Sequence, residues 1–186
     1  MAISRSHTIS LIAALLLLAA CHADAAPTVA QFRAELNALK AVLVKTKEYS
    51  AFGKGVDKML KYPDAQLPQL FNTTLLVPTN KAVYGVGMKT LQNTTAMEAI
   101  GKFNVLQRQF TAAQLRNLKP NTLLRTKAPT DLLQRYLSVG ANAGKAVLGP
   151  RNATAAVQGV VLFPDLYTGK FLKAHGLSVF FRPKGY

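Results

Sequence analysis

Apolar residues recur at three- and four-residue steps in Val29, Phe32, Leu36, Leu39 and Leu43, which predicts a helix with one buried face running to about Tyr49. Thr28 stands where its N-cap belongs. A shorter amphipathic helix is expected over residues 52–60, closed by Tyr62-Pro63-Asp64. The pattern then changes. Residues 73–77 form a β-rich run stopped by Pro78, and residues 81–86 suit one or two helical turns ended by Gly85 and Gly87. Thr95 caps an expected helix reaching Gly101, and residues 103–106 follow as a strand. Thr111, with Gln114 three positions on, matches a capping box, in which each side chain satisfies a backbone N–H of the first turn. After Pro120 the runs shorten: residues 123–126, 136–139, 146–148, 157–163 and 177–181 read as strands separated by Gly, Pro and Asn. Helices first and strands later make an α+β layout, and no internal repeat divides residues 26–186, so one domain is expected.

The N-terminal pattern is of another kind. Residues 9–20 are apolar apart from Ser10, a run shorter than the ~20 residues a spanning helix needs. Ala23-Asp24-Ala25 places small residues where a signal peptidase reads them, so residues 1–25 are read as a signal peptide cleaved after Ala25. Leu18-Ala19-Ala20-Cys21 also fits a lipobox, which would anchor the protein through a lipidated Cys21. Three Asn-x-Thr sequons, at Asn72, Asn93 and Asn152, favour a eukaryotic secretory route and are candidate glycosylation sites. Cleavage after Ala25 leaves no cysteine and hence no disulfide. No stretch beyond the leader is long and apolar enough to span a bilayer, and no apolar tail signals a glycolipid anchor.

Charge narrows the choice of partner. Lys and Arg number 23 against 8 Asp and Glu, a formal net charge of +15. Such a field draws polyanions to the surface. A secreted chain meets acidic polysaccharides, anionic headgroups and other extracellular proteins rather than nucleic acid, and no aromatic residues interleave with the cations as stacking platforms. Lys170, Lys173, Arg182 and Lys184 are candidate members of a basic surface. Residues 40–61 are the one stretch with the lysines for a cationic, membrane-active role or a peripheral membrane contact, and their apolar positions are explained by a core.

Two segments carry a family resemblance. Residues 74–83 run through Leu76, Val77, Pro78, Thr79 and Asn80 into a small apolar turn, and residues 174–183 contain His175, Gly176 and Leu177 and end at Pro183. In this order they resemble the two conserved boxes of the fasciclin domain. The segment through Phe103, Asn104, Phe110, Thr111 and Leu115 resembles the stretch between them, and the similarity extends over residues 51–183, closest to plant-type, single-domain secreted members. The resemblance implies a wedge of short strands beside several helices, and adhesion or cell-wall and matrix association without a cofactor. Many members carry Tyr-His where this chain has Phe103-Asn104, so receptor recognition linked to that region does not carry over. The Pro- and Ser-rich stretches of arabinogalactan-type members are also missing.

The residue inventory argues against catalysis. Glu35, Glu48, Asp57, Asp64, Glu98, Asp131 and Asp165 show no spacing of a carboxylate pair, and His175 is the only histidine beyond the leader. No Gly-x-Ser-x-Gly elbow occurs, one histidine without cysteine does not make a usual zinc site, and Gly85-x-Gly87 lacks the third glycine of a phosphate loop. Catalytic, cofactor and metal residues are therefore expected to be none. His175 reads as a hydrogen-bonded structural residue, Gly176 as a place of close packing or turning, and both boxes as core architecture.

Overall fold

In the computed structural model, described over residues 27–128, 135–140, 145–151 and 158–183, the N-terminal third is a helical hairpin. Helix α1 (Val29–Lys45) starts at Thr28, whose Oγ1 accepts from the Gln31 N–H at 3.2 Å while Gln31 Oε1 accepts from the Thr28 N–H at 3.0 Å. This reciprocal capping satisfies two backbone donors of the first turn. Phe32, Leu36, Leu39 and Leu43 are fully buried on one face, as their spacing predicts. The helix stops at Lys45 rather than continuing to Tyr49. The Thr46 hydroxyl donates to the Val42 carbonyl at 2.9 Å, and a 3-10 turn over Lys47–Tyr49 leads into α2 (Ser50–Leu60). Arg33 closes the far end of α2, bonding the Leu60 and Tyr62 carbonyls and Asp64.

Strand β1 (Thr73–Pro78) is buried throughout and starts the sheet. Short helices α3 (Asn80–Tyr84), α4 (Met88–Gln92) and α5 (Thr94–Phe103) follow, then β2 (Val105–Leu106), α6 (Ala112–Asn117) and β3 (Leu123–Arg125). The remaining strands are β4 (Tyr136–Gly140), β5 (Val147–Pro150), β6 (Gly159–Thr168) and β7 (Leu172–Leu177). Among the described residues these form one seven-stranded sheet in the order β2-β1-β7-β6-β5-β4-β3, in which β1 and β7 run parallel and the other pairs antiparallel. The chain is thus α+β.

The sheet curls until its ends meet. Leu106 bridges Thr126, the Gln107 N–H donates to the Arg125 carbonyl at 2.9 Å, and the Lys127 N–H donates to the Val105 carbonyl at 2.8 Å. Strand alternation then divides the apolar side chains between two cores. Leu75, Val77, Leu172 and Ala174 pack outward against α1 and α2. Leu76, Leu106, Leu124, Leu137, Leu148 and Leu177 fill the concave side together with Phe103 and Phe181.

Four further expectations need correction. The last strand is Leu172–Leu177, ending where residues 177–181 were expected to begin one. Helix α5 runs through Phe103, leaving only Val105–Leu106 as strand. Its cap is Asn93, whose Oδ1 accepts from the Ala96 N–H at 3.0 Å, and not Thr95. Strand β6 begins at Gly159 and continues through Pro164 to Thr168 across register shifts, with Asp165 at φ 50°. The signal peptide and its Cys21, Asn152 and Lys184 lie outside the described residues.

Candidate binding surface

The two family-like segments lie side by side. Strands β1 and β7 pair in register with Leu76 opposite His175, Val77 opposite Gly176 and Pro78 opposite Leu177. All six are buried, and so are Thr79 and Pro183. Beyond the strand, Thr79 Oγ1 accepts from the Ala82 N–H at 3.3 Å and caps α3. Asn80 does not share that task. Its Oδ1 accepts from the Ala51 N–H at 2.8 Å and its Nδ2 donates to the Lys47 carbonyl at 2.7 Å, which fastens the 3-10 turn between α1 and α2 to the end of β1. Gly176 gives room to Tyr49: a Cβ there would lie 2.5 Å from the tyrosine Cζ and Oη and 2.8 Å from Phe163 Cβ.

His175 is fully buried and doubly bonded. The Asp165 N–H donates to Nδ1 at 2.9 Å, so Nδ1 carries no proton and Nε2–H donates to the Phe110 carbonyl at 2.8 Å. Burial pushes its pKa below the ordinary 6.5. The Phe110 carbonyl and Asp165 oppose that shift, and Lys173 adds to it. The unfolded chain therefore binds the proton first. The stability gained from a neutral His175 is complete above pH 6.5 and declines as pH falls below it toward the lowered folded value. Melting temperature measured from pH 7.5 to 5 should fall more steeply for the native protein than for His175→Gln; parallel curves would refute this assignment.

The described candidate cations lie at different points along β7 and beyond its ends. Lys170 is exposed at the turn before β7, with its head 5.4 Å above the Phe171 ring. Lys173 is half-buried inside β7, opposite Thr74. Arg182 is exposed beyond the other end of that strand. The Lys170 turn is held by Glu35, whose carboxylate accepts from the Lys170 N–H at 2.7 Å and the Phe171 N–H at 3.1 Å.

The structure groups Lys170 and Lys173 with other cations through a strap, residues 107–110. At one end the strap bonds the Arg125 carbonyl through the Gln107 N–H. In its middle, Thr74 Oγ1 donates to the Arg108 carbonyl and accepts from the Phe110 N–H, each at 2.8 Å. At the other end Gln109 Nε2 donates to the Lys170 carbonyl at 2.8 Å. Hydrogen bonds thus tie the backbone at Arg108, Arg125 and Lys170, from three separate stretches of chain, to one strap, and Lys173 stands opposite Thr74 beneath it. Lys127, whose pKa is lowered by burial and by the Arg125 charge, lies beside them. Between strap and β3 runs an open groove of about 400 Å3, walled by Gln107, Arg108 and Phe110 on one side and Leu118, Leu123 and Arg125 on the other.

Sequence reasoning passed over Arg108 and Arg125 as members of this surface because no local motif marks them. It also passed over the clamp made by Asn104, which is buried. Its Nδ2 donates to the Ile100 and Phe181 carbonyls, both at 2.8 Å, and its Oδ1 accepts from the Phe181 N–H at 3.2 Å. Of the sequon residues, Asn93 is exposed at the start of α5 and Asn72 is exposed at φ 56° before β1. Among the described residues no three His, Cys, Asp or Glu side chains gather as a metal site would require, and no helix is long and apolar enough to cross a membrane.

No family model matches the chain, and no curated protein matches it. Among solved structures, a FAS1 domain pair from the insect cell adhesion molecule fasciclin I is similar, with a TM-score of 0.48 and 14% identity over 78% of this chain. The match spans 44% of that domain pair.

Proposed function

We propose that the chain is a secreted, non-catalytic fasciclin-type module of the cell wall or matrix that binds acidic polysaccharides through its basic surface. The family reading is supported by the register of the two box segments, which lie as neighbouring parallel strands. The ligand reading is carried by one observation: among the described residues, Glu35, Asp57, Asp64, Glu98 and Asp165 are all held in contacts within the chain. Asp64 pairs with Arg33 at 2.7 Å, Asp57 with Lys40 at 2.5 Å and Glu98 with Lys102 at 2.6 Å. Glu35 holds the turn before β7, and Asp165 Oδ1 accepts from the Ala112 N–H at 3.0 Å at the start of α6. Arg108 and Arg125 are exposed at the strap and β3, where a polyanion would displace bound counterions.

Protein expressed in a eukaryotic secretory host tests the reading. It should begin at Ala26, carry glycan on at least one of Asn72, Asn93 and Asn152, and bind a polygalacturonate column. Elution should move with salt, since screening shortens the field to ~8 Å at physiological ionic strength. Flow-through of the folded protein at low salt would reject polysaccharide binding. A new N-terminus at a lipidated Cys21 would place the protein on a membrane instead.

One observation favours a second reading, membrane contact by a cationic defence-type protein. Leu162 and Phe163 are 51% and 46% exposed at the irregular part of β6, and a shallow cleft beside them is lined by Arg116 and Lys145. Leakage from anionic vesicles at concentrations that leave the polysaccharide column unoccupied would favour it.

A further inference from the structure

We infer that the groove between the strap and β3 is a subsite for a uronate ring, binding the carboxylate through Arg108 and Arg125 and the sugar face through Leu123. The inference rests on the polysaccharide reading and gives it an address. Strand β3 alternates, with Leu124 turned into the concave core and Leu123 and Arg125 turned outward. Two positions along a strand are about 7 Å apart, so a guanidinium and an apolar side chain stand about one pyranose ring from each other. Tyr136 is the register partner of Arg125 and shares its face. Arg135 lies 5.6 Å from the centre of that ring and adds positive charge.

Four further features fit this ligand. The groove lining contains two guanidinium groups and no carboxylate. Both arginine side chains are exposed, and each residue is fixed through its backbone carbonyl, which leaves the guanidinium groups for bidentate contact with a carboxylate. The Arg125 carbonyl at the end of β3 is already bonded to the strap and Thr126 bridges β2, so a peptide strand would find part of that ladder taken. From the groove the strap leads to Lys170 and Lys173, which continues the positive path for the next residues of a polymer.

The test compares binding of a polygalacturonate oligomer and of inorganic polyphosphate, an anion without rings. Arg108→Gln with Arg125→Gln should weaken the sugar polymer by tenfold or more, a loss of about 1.4 kcal/mol or more of binding free energy. Lys54→Gln with Lys58→Gln, an equal charge change on exposed positions of α2, should weaken it far less. Leu123→Ser, which changes no charge, should weaken the sugar polymer several-fold and leave polyphosphate binding as it was. Should the arginine pair fail to fold, Leu123→Ser carries the decision. Equal losses from the two charge pairs, with Leu123→Ser silent, would overturn the groove while leaving general polyanion binding in place. A native protein that binds neither polymer would overturn both.

Discussion

Phe181→Ala is expected to destabilise the protein by about 3–5 kcal/mol, the range for emptying a buried aromatic site. Phe181 is 1% exposed, although no strand holds it. Its ring lies in the concave core and reaches Gly159, where a Cβ would come within 2.9 Å of Cζ. The fit is made from both sides, a ring too large to lose and a glycine with no side chain to fill the gap. Urea titration of the native and substituted proteins would give the difference. A loss under about 1 kcal/mol would mean that the segment frays and the ring leaves its pocket at little cost.

Asn104→Asp should cost about 3 kcal/mol or more at pH 7, although one atom type is all that changes. Asn104 is 1% exposed and uses both Nδ2 protons and its Oδ1. Aspartate keeps the acceptor for the Phe181 N–H but sets a second oxygen against the Ile100 and Phe181 carbonyls. A buried carboxyl without a cation resists ionisation, so its folded pKa is raised. The penalty is then greatest above that raised value and eases as pH falls through it and the group protonates. Denaturation at pH 7 and pH 4.5, each against native protein at the same pH, reads both the size and the direction. Asn104→Asp and Phe181→Ala act on one segment, so their joint effect should fall short of the sum. Full native stability of Asn104→Asp at pH 7 would dismiss the clamp.

What could be read from sequence was what neighbouring residues decide among themselves. The capping pairs Thr28–Gln31 and Thr111–Gln114 and the apolar spacing of α1 are local, and the structure has them where the pattern places them. Position of the last strand was not local. Residues 177–181 are richer in Val and Phe than Leu172–Leu177, yet the latter pair with β1 and β6, and tertiary pairing overrides propensity. Val179 and Phe181 still pack on the concave core, one half-buried and one fully buried, without ladder bonds. Asn93 hid its capping role behind a sequon that draws the eye to glycans and behind the equally suitable Thr95. Asn104 and Asn80 stood in the family-like segments, but the bonds they make were not legible there, because a fully bonded buried amide and an exposed one look alike in a sequence. The basic groove was invisible for a related reason: its cations come from segments that only the strap and the sheet closure join.

The parallel pairing of β1 with β7 also sets an order of events. Among the described residues strand β7 is the last along the chain, yet it lies inside the sheet, between β1 and β6. Its register partners in β1 precede it by roughly a hundred residues, a long loop to close before the contact repays the lost chain entropy. The sheet therefore stays open during synthesis until residues 172–183 have emerged, and folding should take milliseconds to seconds rather than microseconds. For an exported chain this interval matters at Asn72. Its sequon includes Thr74, which in the folded protein is fully buried with its hydroxyl bonded to residues 108 and 110. Were Asn72 glycosylated, the enzyme would have to meet that threonine before the fold buries it, and the late arrival of β7 would set the time allowed.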